Sequence, residues 1–149
     1  MALTVTEQTV HLLEFVREEE IAAPIDMVFE SILEQMGPEN EGPPGVAMPM
    51  VLEAWPGGRW YRDLGNNAGH LWGHVQAIKP PSLIEICGPL FMSYAAVSNV
   101  QYRLSEANGV TLLKFSHKSM GQVAPDPRVE MGWGHLIGRI HSAAEKRKR

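Results

Sequence analysis

The sequence predicts an α+β domain in which one long C-terminal helix lies across a curved antiparallel sheet of six to seven strands. Three observations predict it. Residues 129–149 carry Val129, Trp133, Leu136, Ile137 and Ile140 at spacings of three and four, a continuous apolar stripe along a helix that must be buried somewhere. The chain before it, from Met50 to Lys118, runs as short segments of alternating apolar and polar residues separated by Gly, Pro and Asn, which is the signature of antiparallel strands. At 149 residues with a single cysteine, Cys87, the chain is long enough to bury an apolar core without disulfides.

The elements follow in order. Residues Met1 to Gln8 carry little pattern and read as an unstructured start. Thr9 to Ile21 reads as a long strand whose consecutive acids, Glu18, Glu19 and Glu20, suit a sheet edge better than a sheet centre. Pro24 is suited to the first position of a helix, and Ile25, Val28, Phe29, Ile32, Leu33 and Met36 then mark one amphipathic face until Gly37-Pro38 stops it. The segment from Pro38 to Pro49 holds four prolines and two glycines, too many breakers for a regular element, and its length makes it a candidate lid over any cavity.

Strands are expected over Met50–Trp55 and Arg59–Leu64, joined by Pro56-Gly57-Gly58, and over His70–Ile78 after the turn Gly65-Asn66-Asn67-Ala68-Gly69. Pro80-Pro81 closes the last of these, since proline cannot donate to a ladder. Leu83–Cys87 is a short apolar strand, and Gly88–Ala96, with Phe91, Met92 and Tyr94, reads as an apolar loop or a broken strand. Val97–Leu104 and Val110–Lys118 form the last hairpin through Asn108-Gly109. The final helix carries glycines at 132, 134 and 138, each costing up to about 1 kcal/mol relative to Ala, so something, a sheet backbone or a ligand, is expected to approach it closely.

Composition bounds the function. A formal charge of −4, with the one basic block Lys146-Arg147-Lys148-Arg149 at a helix end, speaks against nucleic acid as the main partner; that block reads as solvated charge complementing the helix C-terminus. No apolar run approaches the ~20 residues of a membrane span, and with one cysteine the expectation is a cytoplasmic protein.

Particular residues resemble a known family. Ile21-Ala22-Ala23-Pro24 followed by Val28-Phe29, then Pro56-Gly57-Gly58-Arg59-Trp60, Gly73-His74-Val75 leading to Pro80-Pro81 and Leu83, and Gly132-Trp133 opening the last helix resemble the START/Bet v 1-like, or SRPBCC, superfamily. Within it the chain is most similar to the branch named after the activator of the heat-shock-protein-90 ATPase, over about residues 9 to 141. The resemblance implies the helix-grip fold and a hydrophobic cavity between the concave sheet face and the C-terminal helix. Relatives carry or sequester apolar molecules in such cavities, or perform cyclase and hydrolase chemistry. The Gly/Pro-rich 38–49 segment departs from the pattern, since many relatives have a short second helix there.

Alternation assigns faces to the cavity. Thr111, Leu113, Phe115 and His117 share one face, with Lys114 and Lys118 on the other; Val100, Tyr102 and Leu104 face inward. Trp60, Arg62 and Leu64 share a face that the resemblance points inward, and an inward Arg62 requires a partner such as Glu53, Asp63, a backbone carbonyl or an anionic ligand. On the His70–Ile78 strand, Leu71, Gly73, Val75 and Ala77 are expected inward, leaving Trp72 outside to cover the outer face or join a homodimer contact. From the helix, Met131 and His135 lie beside the stripe.

The candidate ligand-binding residues are therefore Trp60, Arg62, Tyr102, Phe115, His117, Met131 and His135. Metal binding is set aside: His70 and His74 would stand roughly 13 Å apart on a strand, and no cysteine pair or HExxH accompanies them. Apolar neighbours make Cys87 an inert core thiol, and no nucleotide fingerprint is present, so no cofactor is expected. The expected function is binding of a small hydrophobic molecule. Two alternatives stay open: a protein-interaction module of the chaperone-regulator kind, and a cyclase or hydrolase using His117, His135 or Tyr102 as acid or base.

Overall fold

The computed structural model describes residues 2–42, 45–90 and 95–148; Phe91, Met92 and Tyr94 of the apolar stretch, Pro43 and Pro44 of the loop, and the terminal Met1 and Arg149 lie outside them. The described residues form β1 (His11–Ile21), α1 (Ile25–Met36), β2 (Glu41–Gly42), β3 (Val46–Ala47), β4 (Val51–Leu52), β5 (Arg59–Gly65), β6 (Ala68–Lys79), β7 (Leu83–Gly88), β8 (Ala96–Ala107), β9 (Val110–Gly121) and α2 (Pro127–Arg147). Seven strands make one antiparallel sheet in the order β1-β9-β8-β7-β6-β5-β4, with the acidic β1 at its edge, and β2 pairs with β3 apart from it. This is the helix-grip α+β fold: α2 crosses the sheet with Trp133, Ile137, Ile140 and Ala144 buried against it.

Local chemistry explains the boundaries. Pro24 stands just before α1 as its N-cap, in an extended conformation, and not at the first helical position; with no side chain to cap the helix, the Glu106 carboxylate accepts from Ile25 N at 2.7 Å instead. Asn66 and Asn67, then Asn108 and Gly109, take positive φ in the two tight hairpins, as two-residue turns of this hand require. The last helix begins two residues before the expected Val129. Asp126 is its N-cap, accepting from Arg128 N at 2.9 Å, and Pro127 takes the first turn.

Three expectations are corrected. The 38–49 segment is not wholly irregular: β2 and β3 close a two-residue ladder, and Met48 N donates to Asn40 O at 2.8 Å across its base. The Met50–Trp55 strand shrinks to Val51–Leu52. At the C-terminus the basic block is not simply solvated, because Arg147 Nε donates to Ser31 Oγ at 3.0 Å and its guanidinium pairs with Glu34, tying α2 to α1.

The inward faces of β8 and β9 match the alternation: Val100, Tyr102, Leu104, Thr111, Leu113, Phe115 and His117 are buried, and Lys114 and Lys118 are exposed. β6 does not alternate cleanly. The ladder register steps over Trp72 where β6 meets β5 and over Gln76 where it meets β7, so the strand carries two bulges and its parity changes at each. Gly73 and Val75 face inward as expected, but Leu71 is 45% exposed, and Trp72 turns in to meet Trp60 with ring centroids 5.0 Å apart.

Candidate functional site

Between the N-terminal half of α2 and the β5–β6 end of the sheet the structure leaves an open cavity of about 720 Å³. Its floor is Trp60 and Trp72, its far wall Val129, Trp133 and Leu136, and its near wall Asn40, Glu41, Gly42 and Met48 from the β2–β3 hairpin. Gln122 to Asp126, the strap leading into α2, and Arg128, Gly132 and His135 complete it. Gly132 has nothing within 4 Å of where a Cβ would stand, so its missing side chain opens onto the cavity. Gly138 likewise meets nothing and Gly134 meets only the end of Arg17, so no sheet backbone approaches either glycine.

All three tryptophans in the wall spend their indole N–H on the protein. Trp60 Nε1 donates to Met36 O at 2.8 Å, Trp72 Nε1 to His70 Nδ1 at 3.1 Å and Trp133 Nε1 to His117 Nδ1 at 3.0 Å. What reaches the cavity is apolar ring surface, most of it from the half-buried Trp72, since Trp60 is 1% and Trp133 6% exposed.

The candidate residues divide. Trp60, 1% exposed, and His135 line the cavity. Tyr102 and Phe115 lie in the core, ring to ring at 5.1 Å, with Phe115 4.8 Å from Trp133 on the side away from solvent. His117 is 5% exposed and sits behind Trp133; burial pushes its pKa down to about 4 and pushes the Tyr102 phenol up. Met131 is 71% exposed and is not part of the lining, because it falls on the solvent side of α2. Arg62 pairs with neither expected carboxylate: Glu53 is held by Arg59 at 2.7 Å, and Asp63 accepts from Gly65 N. Its buried Nη1 has no hydrogen bond among the described residues.

The rim is polar and its charges are matched. Arg139 pairs with Glu41, donates through Nε to Gln35 Oε1 at 3.0 Å and through Nη2 to Glu39 O at 3.0 Å, so one guanidinium on α2 holds the hairpin base to the end of α1. His135 Nε2 is 3.7 Å from the same Glu41 carboxylate. Asp126 and Arg128 pair at 2.8 Å, and the Arg128 hydrogen bonds hold Asp126 below its usual pKa. Among the described residues no group of three His, Cys, Asp or Glu side chains is placed to hold a metal ion. No helix there is long and apolar enough to cross a membrane.

Alternation could not find Trp72, which a bulge turns inward, nor Asn40, Met48 and Val123, which lie on irregular chain with no period.

No protein-family model and no curated protein matches the chain. Solved structures do. An uncharacterised protein from Rhizobium leguminosarum superposes with a TM-score of 0.73 at 18% identity, covering 95% of this chain and 99% of that one. The structure of Ara h 8.0201 gives 0.67 at 14% identity, covering 91% and 99%. The ZhuI aromatase/cyclase from a Streptomyces species gives 0.65 at 17% identity, covering 93% and 97%. Identities this low speak to architecture alone, and the architecture this chain shares with these structures is the helix-grip α+β fold.

Proposed function

We propose that the chain binds a small hydrophobic molecule with aromatic character in the cavity under α2, as a cytoplasmic carrier, sequestering protein or sensor. The observation that carries this reading is the cavity of about 720 Å³ walled by Trp60, Trp72 and Trp133, whose N–H groups all point into the protein. Burial of ligand apolar surface would drive association at roughly 25 cal/mol per Å² before ordering costs. The β2–β3 hairpin would serve as the lid, since its base forms one wall.

An open cavity at this position supports the binding reading over a chaperone-regulator reading, since a module that acts through its surface needs no such space. The similarity to an aromatase/cyclase keeps small-molecule chemistry in view; His117, the most perturbed candidate base, stands behind Trp133 and outside the lining, which favours binding over turnover.

Native mass spectrometry of the protein purified from its own host tests the reading. A stoichiometric copurified molecule of a few hundred daltons, displaced by a naphthalene-sized competitor, is expected. Absence of any bound molecule, together with no quenching of tryptophan fluorescence by such a competitor, would sink it.

A further inference from the structure

Among the described residues Asn40 is the one buried polar residue in the cavity wall, 6% exposed. The other polar lining residues, Glu41, Gln122, Asp126, Arg128 and His135, are partly or largely exposed. Its position is fixed three times over. Its backbone N donates to Gly37 O at 3.1 Å, its backbone O accepts from Met48 N, and its Nδ2 donates to Met48 O at 3.1 Å. The last bond fixes the orientation of the amide, because only the NH₂ side can face a carbonyl. Nδ2 has a second hydrogen, and Oδ1 has no hydrogen bond among the described residues. Asn40 lines the cavity and its Oδ1 is not sealed from solvent, so that acceptor stands open to a donor carried by an occupant.

The charges around the cavity give the second half of the specificity. Glu41 is paired with Arg139 and Asp126 with Arg128, so each carboxylate at the rim is balanced by a guanidinium and the two pairs carry no net charge. An ionised ligand entering among the indoles would lose hydration and meet no net counter-charge.

From this we infer that Asn40 is the specificity-determining polar residue of the cavity, and that the ligand is an uncharged, planar aromatic molecule carrying an N–H or O–H donor, of the carboxamide, lactam or phenol kind, that bonds to Asn40 Oδ1. This inference rests on the binding function proposed above, and the test separates the two.

Three probes of one shape are titrated into the full-length protein at pH 7.5: 2-naphthamide, 2-isopropylnaphthalene and 2-naphthoate. The Asn40 side-chain ¹⁵N–H₂ resonances of the unmodified protein should shift on adding 2-naphthamide and stay within linewidth on adding 2-isopropylnaphthalene. Asn40→Leu should weaken 2-naphthamide about tenfold more than it weakens 2-isopropylnaphthalene, the scale of one lost hydrogen bond. 2-Naphthoate should bind more weakly than 2-naphthamide. If no probe binds, the cavity reading falls and takes this inference with it. If the two uncharged probes bind and neither the amide resonances nor Asn40→Leu distinguishes them, the cavity stands and the role of Asn40 is overturned. If 2-naphthoate binds as tightly as 2-naphthamide, the selection for uncharged ligands is overturned. The resonance measurement decides the matter should the Leu variant fail to fold.

Discussion

Trp133 Nε1 donates to His117 Nδ1 at 3.0 Å, joining a wall of the cavity on α2 to the inner face of β9. An indole can only donate, so Nδ1 must be the acceptor and the neutral ring must carry its proton on Nε2. Burial keeps the ring neutral, with a pKa of about 4. Its depressed value gives a pH dependence with a definite sign. The unfolded chain binds a proton at this histidine below its ordinary value of 6.5, whereas the folded chain resists down to about 4. The contribution is therefore complete above pH 6.5 and lost as pH falls toward 4, amounting to about 3 kcal/mol at most. Urea unfolding between pH 7.5 and 4 should fall more steeply for the natural protein than for His117→Phe. Parallel curves for the two would count against it.

Trp72 and Trp60 meet edge to face on the cavity floor, yet they differ in what their removal should cost. Trp60 is fully buried and bonds Met36 O, so Trp60→Ala should cost about 3–5 kcal/mol and blur any binding result. Trp72 is only half-buried, at a bulge. Trp72→Ala should leave the fold standing in thermal melts and weaken a naphthalene-sized probe at least tenfold, because one stacking face is gone. Undiminished affinity in that variant would place the ligand elsewhere.

Much of this was legible in the chain because it was periodic. The α1 stripe, the edge position of β1, the inward faces of β8 and β9 and the burial of Trp133, Ile137 and Ile140 all follow from periods of two or 3.6. β6 was not, since the bulges at Trp72 and Gln76 are set by how β5 and β7 pair with it, information that β6 does not contain. The cavity was partly hidden for a related reason. Three of its sides are floor and helix, but Asn40, Met48 and Val123 come from aperiodic segments whose side chains are aimed by tertiary hydrogen bonds such as those of Arg139. Met131 shows the converse error, an adaptable apolar residue adjacent to the buried stripe in sequence and on the solvent side of the helix in space.

Arg139 should control the hairpin wall. It joins Gln35, the Glu39 carbonyl and Glu41, so Arg139→Met removes charged hydrogen bonds worth about 1–3 kcal/mol. Hydrogen exchange at the Met48 amide, which bonds to Asn40 O, should speed up in that variant more than exchange in β8 or β9. Uniform acceleration across the sheet would show a global loss of stability and no special hold on the hairpin.

Gly132 offers the sharpest separation of stability from binding. It lies inside α2, lines the cavity, and a Cβ there would touch nothing within 4 Å. A glycine in a helix interior costs about 1 kcal/mol relative to alanine, so Gly132→Ala should raise the melting temperature by a few degrees. A larger side chain at the same position extends into the empty space. Gly132→Leu should therefore keep the helix, with a melting temperature no lower than that of the natural protein, while lowering affinity for 2-naphthamide by at least tenfold, as its branched end occupies volume the ring needs. Should Gly132→Leu fold normally and bind the probe as the natural protein does, the space beneath the start of α2 is not where the ligand sits.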